Sequence, residues 1–207
     1  MFKIDNPIIN STENKKYLDI INKSSIYESN FENDTIDLSY SEEVNSSKFN
    51  KIIFTKTILN RFCLIDVIFE NCDLSNITFV DSTIHRVVFK NCKLVGTSFI
   101  NCSLQNILIE DSLCNYINLS GNKMKYVLIK NSSFIESSFI EDKFKYVEFD
   151  NINLDNSEFN NTSLKDIDLS SCNITNLKIN LYDLRGSIIN NYQSMDLIGL
   201  LGVKIKE

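Results

Sequence analysis

The chain has 207 residues, 43 % hydrophobic and 11 % aromatic, with 27 acidic against 21 basic side chains and a formal charge of −6. Such a length buries one core and would cramp two, and the negative balance disfavours generic phosphate binding while allowing local basic patches. One histidine, five glycines and no tryptophan leave little for most enzyme chemistries. G-x-x-x-x-G-K-[ST], G-x-S-x-G and H-E-x-x-H are all absent, so neither catalysis nor a cofactor is expected. No apolar run reaches membrane-spanning length, and Met1 to Pro7 lacks the basic-then-apolar layout of a secretory signal; a soluble, cytoplasmic protein without membrane contact is expected. Cys63, Cys72, Cys92, Cys102, Cys114 and Cys172 form no C-x-x-C pair, which points to reduced, packed thiols rather than a metal site.

Residues 1–43 read as an N-terminal cap. Asn10 with Glu13 suggests a capping pair, and Tyr17, Leu18, Ile20 and Ile21 give one apolar face to a helix from about Ser11 to Lys23. This segment carries nine acidic and four basic residues, so −5 of the charge lies in it and the remainder is close to neutral.

From Val44 to Ile189 every fifth residue is apolar, thirty in a row without a slip of phase, running Val44, Phe49, Phe54, Leu59, Leu64, Phe69 and onward. Two residues before each stands a second column of mostly small or β-branched side chains, including Thr57, Val67, Cys72 and Ser82. Positions two apart in an extended segment share a side, so both columns face one interior. The position two after each large residue is Asn, Asp or Gly in 17 of 29 cases, the residues that tolerate a left-handed corner. A period of five fits neither a helix nor a long strand; each unit is a short extended piece ending in a corner.

The quintets Cys72-Asp73-Leu74-Ser75-Asn76 and Ile152-Asn153-Leu154-Asp155-Asn156 resemble the pentapeptide-repeat family, whose consensus is roughly A-(D/N)-L-x-x. The resemblance covers Val44 to Ile189 and implies a right-handed quadrilateral β-helix with a filled interior; the fold expected is all-β, a repeat domain over residues 44–190 with short helical caps at both ends. Coils then stack every 20 residues at about 4.8 Å, and columns can be followed along the rod.

On one face the outward sites include His85, Arg86, Lys123, Lys125, Lys143, Lys145, Lys165 and Arg185, with Tyr126 above Tyr146. This is a candidate anion or nucleic-acid contact, with a solvated lysine face as the blander reading. On the next face Ile68, Val88, Leu108 and Leu128 form an apolar stripe, either the dock of the N-terminal helix or a partner site, and Glu148, Asp150 and Asp168 follow as an acidic cluster suited to phosphate mimicry. Inside, Cys72 stacks on Cys92 with side chains oriented poorly for a disulfide. Asp142 occupies an inward column between Asn122 and Thr162, the natural hydrogen-bond donors to its carboxylate.

Residues 191–207 leave the repeat. Asn191 suits a helix N-cap, Leu197, Ile198 and Leu201 share a face, Gly202 suits a left-handed exit, and Val203 and Ile205 read as a terminal strand. Asp183-Leu184-Arg185-Gly186 and Asn191-Tyr192-Gln193 followed by Leu201-Gly202-Val203 resemble the end of the quinolone-resistance (Qnr-type) pentapeptide proteins. That resemblance implies a homodimer joined through Tyr192, Leu197, Ile198, Leu201 and Val203, and a DNA mimic that binds a type II topoisomerase, DNA gyrase or topoisomerase IV, and modulates quinolone sensitivity. The near-neutral repeat and the absence of projecting loops depart from that pattern. A protein-interaction scaffold using the apolar stripe or the lysine face is the alternative, and direct nucleic-acid binding is disfavoured by the overall charge.

Overall fold

The computed structural model describes residues 2–10 and 13–202. Its body is a β-helix in which every strand ladder is parallel and regular neighbours lie 20 residues apart: Leu64 pairs with Ile84, Ile84 with Leu104, Leu104 with Met124 and Met124 with Phe144. Eight-residue strands from Glu43–Asn50 to Lys143–Asp150 wrap two of the four sides. A ladder of short strands from Ile58–Asn60 to Lys178–Ile179 forms another side, and single bridges from Ile53 to Asn173 close the remaining one.

The corners fall where the sequence places them, at the position two after each large residue. Asn71, Asn76, Asp81, Asn91 and Gly96 all have φ between 50° and 66°. Of the twelve corner positions without Asn, Asp or Gly, nine adopt positive φ as well, among them Arg86 (51°), Tyr126 (56°) and Tyr146 (57°). Each such residue costs on the order of 1 kcal/mol, which the stacked coils on either side sustain.

The interior is solid. Phe49, Phe69 and Phe89 stack with centroids 5.2 Å apart, and Phe79 stacks on Phe99 at 5.0 Å, so the ring spacing follows the coil rise. The small column also faces inward, and its hydroxyls join successive coils. The Phe62 amide donates to Ser82 Oγ at 3.0 Å, and that hydroxyl donates to the Val80 carbonyl at 2.8 Å. All six cysteines are free; burial pushes the Cys102 thiol up to about 11 and raises Cys114 as well, so these are inert packing groups.

Asp142 is buried in this column. Its Oδ1 accepts from the Asn122 backbone amide (2.8 Å) and side-chain amide (2.9 Å), while Oδ2 has no partner. Thr162 does not serve the carboxylate as expected: its Oγ1 accepts from the Asp142 amide and donates to the Phe139 carbonyl. Burial, only partly offset by the two Asn122 donors, pushes the Asp142 carboxyl up to about 7.

Both ends differ from the sequence reading. Among the described residues no α-helix forms near Ser11–Lys23; Glu13–Asn14 is a strand paired with Ser29 and Asn30, and only Tyr17–Asp19 turns, as a 3-10 helix. Of the expected apolar face Ile20 is buried, while Leu18 is 77 % exposed. The chain is already coiling by Ser25: Ile26 pairs with Val44, Phe31 with Phe49 and Ile36 with Phe54, an 18-residue offset. These three residues keep the five-residue spacing, which a two-residue shortening before Val44 hides. The short strand Glu13–Asn14 then covers the sheet edge at this end. At the other end Asn190, rather than Asn191, caps the α-helix Gln193–Leu197: its Oδ1 accepts from the Gln193 amide (3.0 Å) and Gln193 Oε1 accepts from the Asn190 amide (2.8 Å). Gln193 is buried and its amide also donates to the Leu169 and Cys172 carbonyls, both at 2.7 Å, which closes the last coil with hydrogen bonds.

Candidate functional site

A filled solenoid offers only its exterior, and two exterior features break the regular pattern. The first is a corner column, Asp66, Arg86, Asn106, Tyr126 and Tyr146, one residue per coil. Residues 2–10 lie along it as an extended strap. The Ile8 amide donates to Asp66 Oδ1 at 2.8 Å, the Asp5 amide donates to Asn106 Oδ1 at 3.3 Å, and the Phe2 ring sits 5.9 Å from Tyr126 and 6.3 Å from Tyr146. Three residues of extended chain cover about 10 Å and two coils rise about 9.6 Å, so Asp66 and Asn106 meet amides three residues apart. Arg86 holds the Asp66 carboxylate through two bonds, 2.6 and 2.7 Å. Burial alone would raise the Asp66 carboxyl; the Arg86 guanidinium and the Ile8 amide outweigh it and hold the group below the usual carboxylate range. Burial and Arg86 together lower the pKa of His85 beside it.

Tyr126 and Tyr146 stack face to face at 4.9 Å, with Lys125 Nζ 5.0 Å and Lys145 Nζ 5.6 Å from their ring centres. Of the predicted lysine face, Lys123, Lys143 and Lys145 are exposed and Lys125 is half-buried. Ile68, Val88, Leu108 and Leu128 are adjacent in register and half-buried on the neighbouring side. The N-terminal segment reaches the corner column beside this stripe, and among the described residues the helix expected to dock there does not form.

The second feature is an interruption of the stack. The strand Lys143–Asp150 pairs with Lys123–Lys130 on one side and, among the described residues, with no strand on the other; the next coil is held at its two ends, where the Asp142 amide donates to Thr162 Oγ1 and the Asn151 amide to Ser171 Oγ, both at 3.0 Å. Residues 163–170 bond instead to the following coil, Leu164 N to Asp183 O (2.8 Å), Asp166 N to Gly186 O (3.0 Å) and Leu169 N to Ile188 O (2.8 Å). The coils stay joined elsewhere, through the Asn153–Asn173 bridge and the Phe159–Ile179 pair, so they part on two sides only. A groove of about 1430 Å³ lies along the parting, lined by both coils and by Phe2. Phe144 is half-buried in its wall, where Leu64, Ile84, Leu104 and Met124 at the same register are buried; the bulkier ring is not enclosed. Lys143, Lys145 and Lys165 line one half, and the predicted acidic residues Glu148, Asp150 and Asp168 line the other.

Elsewhere some outward charges pair: Lys48 with Glu70 at 2.9 Å, and Glu110 with Lys130 at 2.7 Å and Lys90 at 3.5 Å. No group of three or more potential metal ligands comes together among the described residues, and no helix there is long and apolar enough to cross a membrane. At the C-terminal end Leu197 is buried and Ile198 half-buried, while Tyr192 (89 %) and Leu201 (62 %) face outward beside exposed Met195. Val203 lies outside the described residues.

The sequence reading missed the strap and the groove. The alternation of half-buried Phe2 and Ile4 is a two-residue signal too short to locate a strap, and the missing ladder has no marker in the quintet pattern, which continues unbroken through it.

The chain is similar in structure to a trypsin-treated variant of QnrB1, a plasmid-mediated fluoroquinolone resistance protein, at 20 % identity and TM-score 0.49, covering 95 % of this chain and 100 % of that one. It is similar to HetL, a pentapeptide repeat protein involved in heterocyst differentiation regulation from the cyanobacterium Nostoc, at 14 % identity and TM-score 0.40, covering 81 % and 85 %. No curated protein matches. The family model described as a pentapeptide repeat region matches residues 62–139 and that for pentapeptide repeats matches 143–176, and with the 20-residue coils and five-residue corners they place the chain in the pentapeptide-repeat family.

Proposed function

We propose that this chain is a non-catalytic, protein-binding rod that engages its partner at the groove between residues 143–150 and 163–170. The parted ladder carries this reading. It combines a sheet edge unpaired among the described residues, an aromatic wall at Phe144 and Tyr146, and side chains of both charges, the mixture that suits a protein segment better than a phosphate backbone. The interior of the described coils is filled by packed side chains. Affinity capture with wild type and with the double variant Lys145→Glu/Glu148→Lys tests it. A partner retained by the first and lost by the second is expected; a captured set that ignores the substitutions overturns it.

A second reading is DNA mimicry directed at DNA gyrase or topoisomerase IV. In its favour are the apolar residues exposed at the C-terminal end, Tyr192, Met195 and Leu201, which suit a two-copy rod, together with the acidic cluster Glu148, Asp150 and Asp168. Against it, that cluster shares one groove with Lys143, Lys145 and Lys165, and Glu70 and Glu110 are ion-paired with lysines. A supercoiling assay with purified gyrase separates the two. Inhibition, or relief from ciprofloxacin, selects mimicry, and no effect at large excess rejects it.

A further inference from the structure

Residues 2–10 run along the rod axis while the coils run around it, and side chains of the coils hold them there. Among the described residues no backbone-to-backbone hydrogen bond ties this strap to a coil, and none of its residues is buried: Phe2, Ile4, Pro7 and Ile9 are half-buried and the others exposed. The anchors fall at every third residue. The Phe2 ring packs on the stacked Tyr126–Tyr146 pair. The Asp5 amide donates to Asn106 Oδ1 and the Asn106 side-chain amide donates back to Asp5 Oδ2, both at 3.3 Å, with Arg86 and His85 within electrostatic reach of that carboxylate. The Ile8 amide donates to Asp66 Oδ1.

A segment held this way adds little to the core and opens at low cost. What it covers is a formed surface: Tyr126 and Tyr146 stack with ammonium groups beside them, and two bonds from Arg86 fix the Asp66 carboxylate. These contacts involve the coils alone, so the surface persists when the strap lifts. It reads one aromatic ring, one carboxylate and two backbone amides, groups that a chain from outside can present equally well. The geometry points to a second interaction surface: the Asp66–Tyr146 column is a docking strip for an extended partner segment that carries an aromatic residue and, three positions later, an acidic one, and residues 2–10 are its resident competitor. The partner needs a free backbone N–H three and six positions after the aromatic residue, which excludes proline from both; Pro7 of the strap falls between the anchors. A partner displaces the strap only by exceeding its effective concentration, so the resident segment sets the affinity threshold. This surface meets the groove at Phe2 and Tyr146 and does not depend on the groove's being a partner site.

The test is fluorescence polarisation with a peptide of the strap sequence, acetyl-Phe-Lys-Ile-Asp-Asn-Pro-Ile-Ile-Asn with fluorescein at its C-terminal end, and two forms of the full chain. One is wild type; the other is Phe2→Ala/Asp5→Pro/Ile8→Pro, which removes the ring and both amide donors without touching a coil. The released variant is expected to bind the peptide about tenfold more tightly than wild type, whose own strap competes. Adding Asp66→Gly/Asn106→Gly to the released variant removes both acceptors at corners whose φ of 57° and 55° glycine accepts, and should weaken binding roughly tenfold; circular dichroism confirms that the coils persist. A peptide N-methylated at the two amides matching Asp5 and Ile8 should lose affinity to the same extent. Failure to saturate the released variant at millimolar concentration overturns the docking strip, and equal affinity for wild type and released variant overturns the strap as competitor. Binding that survives Asp66→Gly/Asn106→Gly places the peptide elsewhere and overturns the assignment. If the peptide instead splits a wild-type dimer in sedimentation, the strap of a second copy is the occupant and the partner assignment falls. Each of these failures leaves the groove reading to the capture experiment above.

Discussion

Replacing Asp142 with Asn should raise stability at neutral and alkaline pH and remove a pH dependence that the native chain carries. In the folded protein the carboxyl titrates near 7 because it is buried with one oxygen unpartnered, against 3.8 for an unperturbed aspartate. The folded state therefore binds more protons than the unfolded chain between these values, and stability falls as pH rises through that window. About three pH units correspond to about 4 kcal/mol at pH 8, the cost of ionising the carboxylate inside the rod. The asparagine introduced by Asp142→Asn keeps the two hydrogen bonds from Asn122 but points an amide N–H at the unpartnered site, which returns about 1–3 kcal/mol. The net gain is about 1–3 kcal/mol at pH 8, turning to a loss near pH 4.5, where the native carboxyl is neutral. His85 acts in the opposite sense: its lowered pKa makes stability fall as pH drops below about 6.5. The quantity to read is thus the difference between wild type and variant in denaturant titrations at pH 4.5, 6, 7 and 8.5, in which His85 cancels. A difference that stays constant across this range would show that Asp142 is ionised at all these pH values or hydrated in the fold, and would refute the reasoning.

Phe69→Ala removes the middle ring of the Phe49–Phe69–Phe89 stack and should cost about 3–5 kcal/mol, read as a drop in thermal midpoint; a cost below about 1 kcal/mol would mean that the coils close over the void. Gly121→Ala should destabilise by on the order of 1–3 kcal/mol, because Gly121 has φ +69° and a Cβ there would press on Asn101 Oδ1; thermal melts of the variant check it. Hydrogen exchange should find the Ile8 amide protected in the wild type and exposed in Asp66→Ala, with the repeat core unchanged; equal exchange in the two proteins refutes the strap contact. If the exposed C-terminal apolar residues join two copies, sedimentation at micromolar concentration shows a dimer that Leu201→Asp dissociates, and a wild-type monomer removes that reading.

The five-residue phase made most of the architecture readable before any coordinates. Thirty apolar positions in register leave no other way to bury one column per quintet, and Asn, Asp and Gly at the corners mark where the backbone turns left-handed. The N-terminal coil was less legible because Ile26, Phe31 and Ile36 keep the same spacing but are separated from Val44 by a shortened turn, which periodicity counting reads as a break in the pattern. The capping role moved by one residue, from Asn191 to Asn190, because both are Asn and only the reciprocal bond to Gln193 distinguishes them.

The candidate site divides in the same way. That Lys143, Lys145, Glu148 and Asp150 point outward follows from strand alternation alone, since each stands beside an inward Phe or Val. Sequence by itself therefore determined the coil, its corners, its interior and the outward charge columns, because these depend on local spacing and on a repeat that registers every coil against the next. Only the tertiary structure decided that a strap from residues 2–10 lies on the Asp66–Tyr146 column and that the ladder parts after Lys143–Asp150. Those features depend on contacts between segments far apart in the chain, as between Phe2 and Tyr146, and on how rings of different size share one core, neither of which leaves a period in the chain.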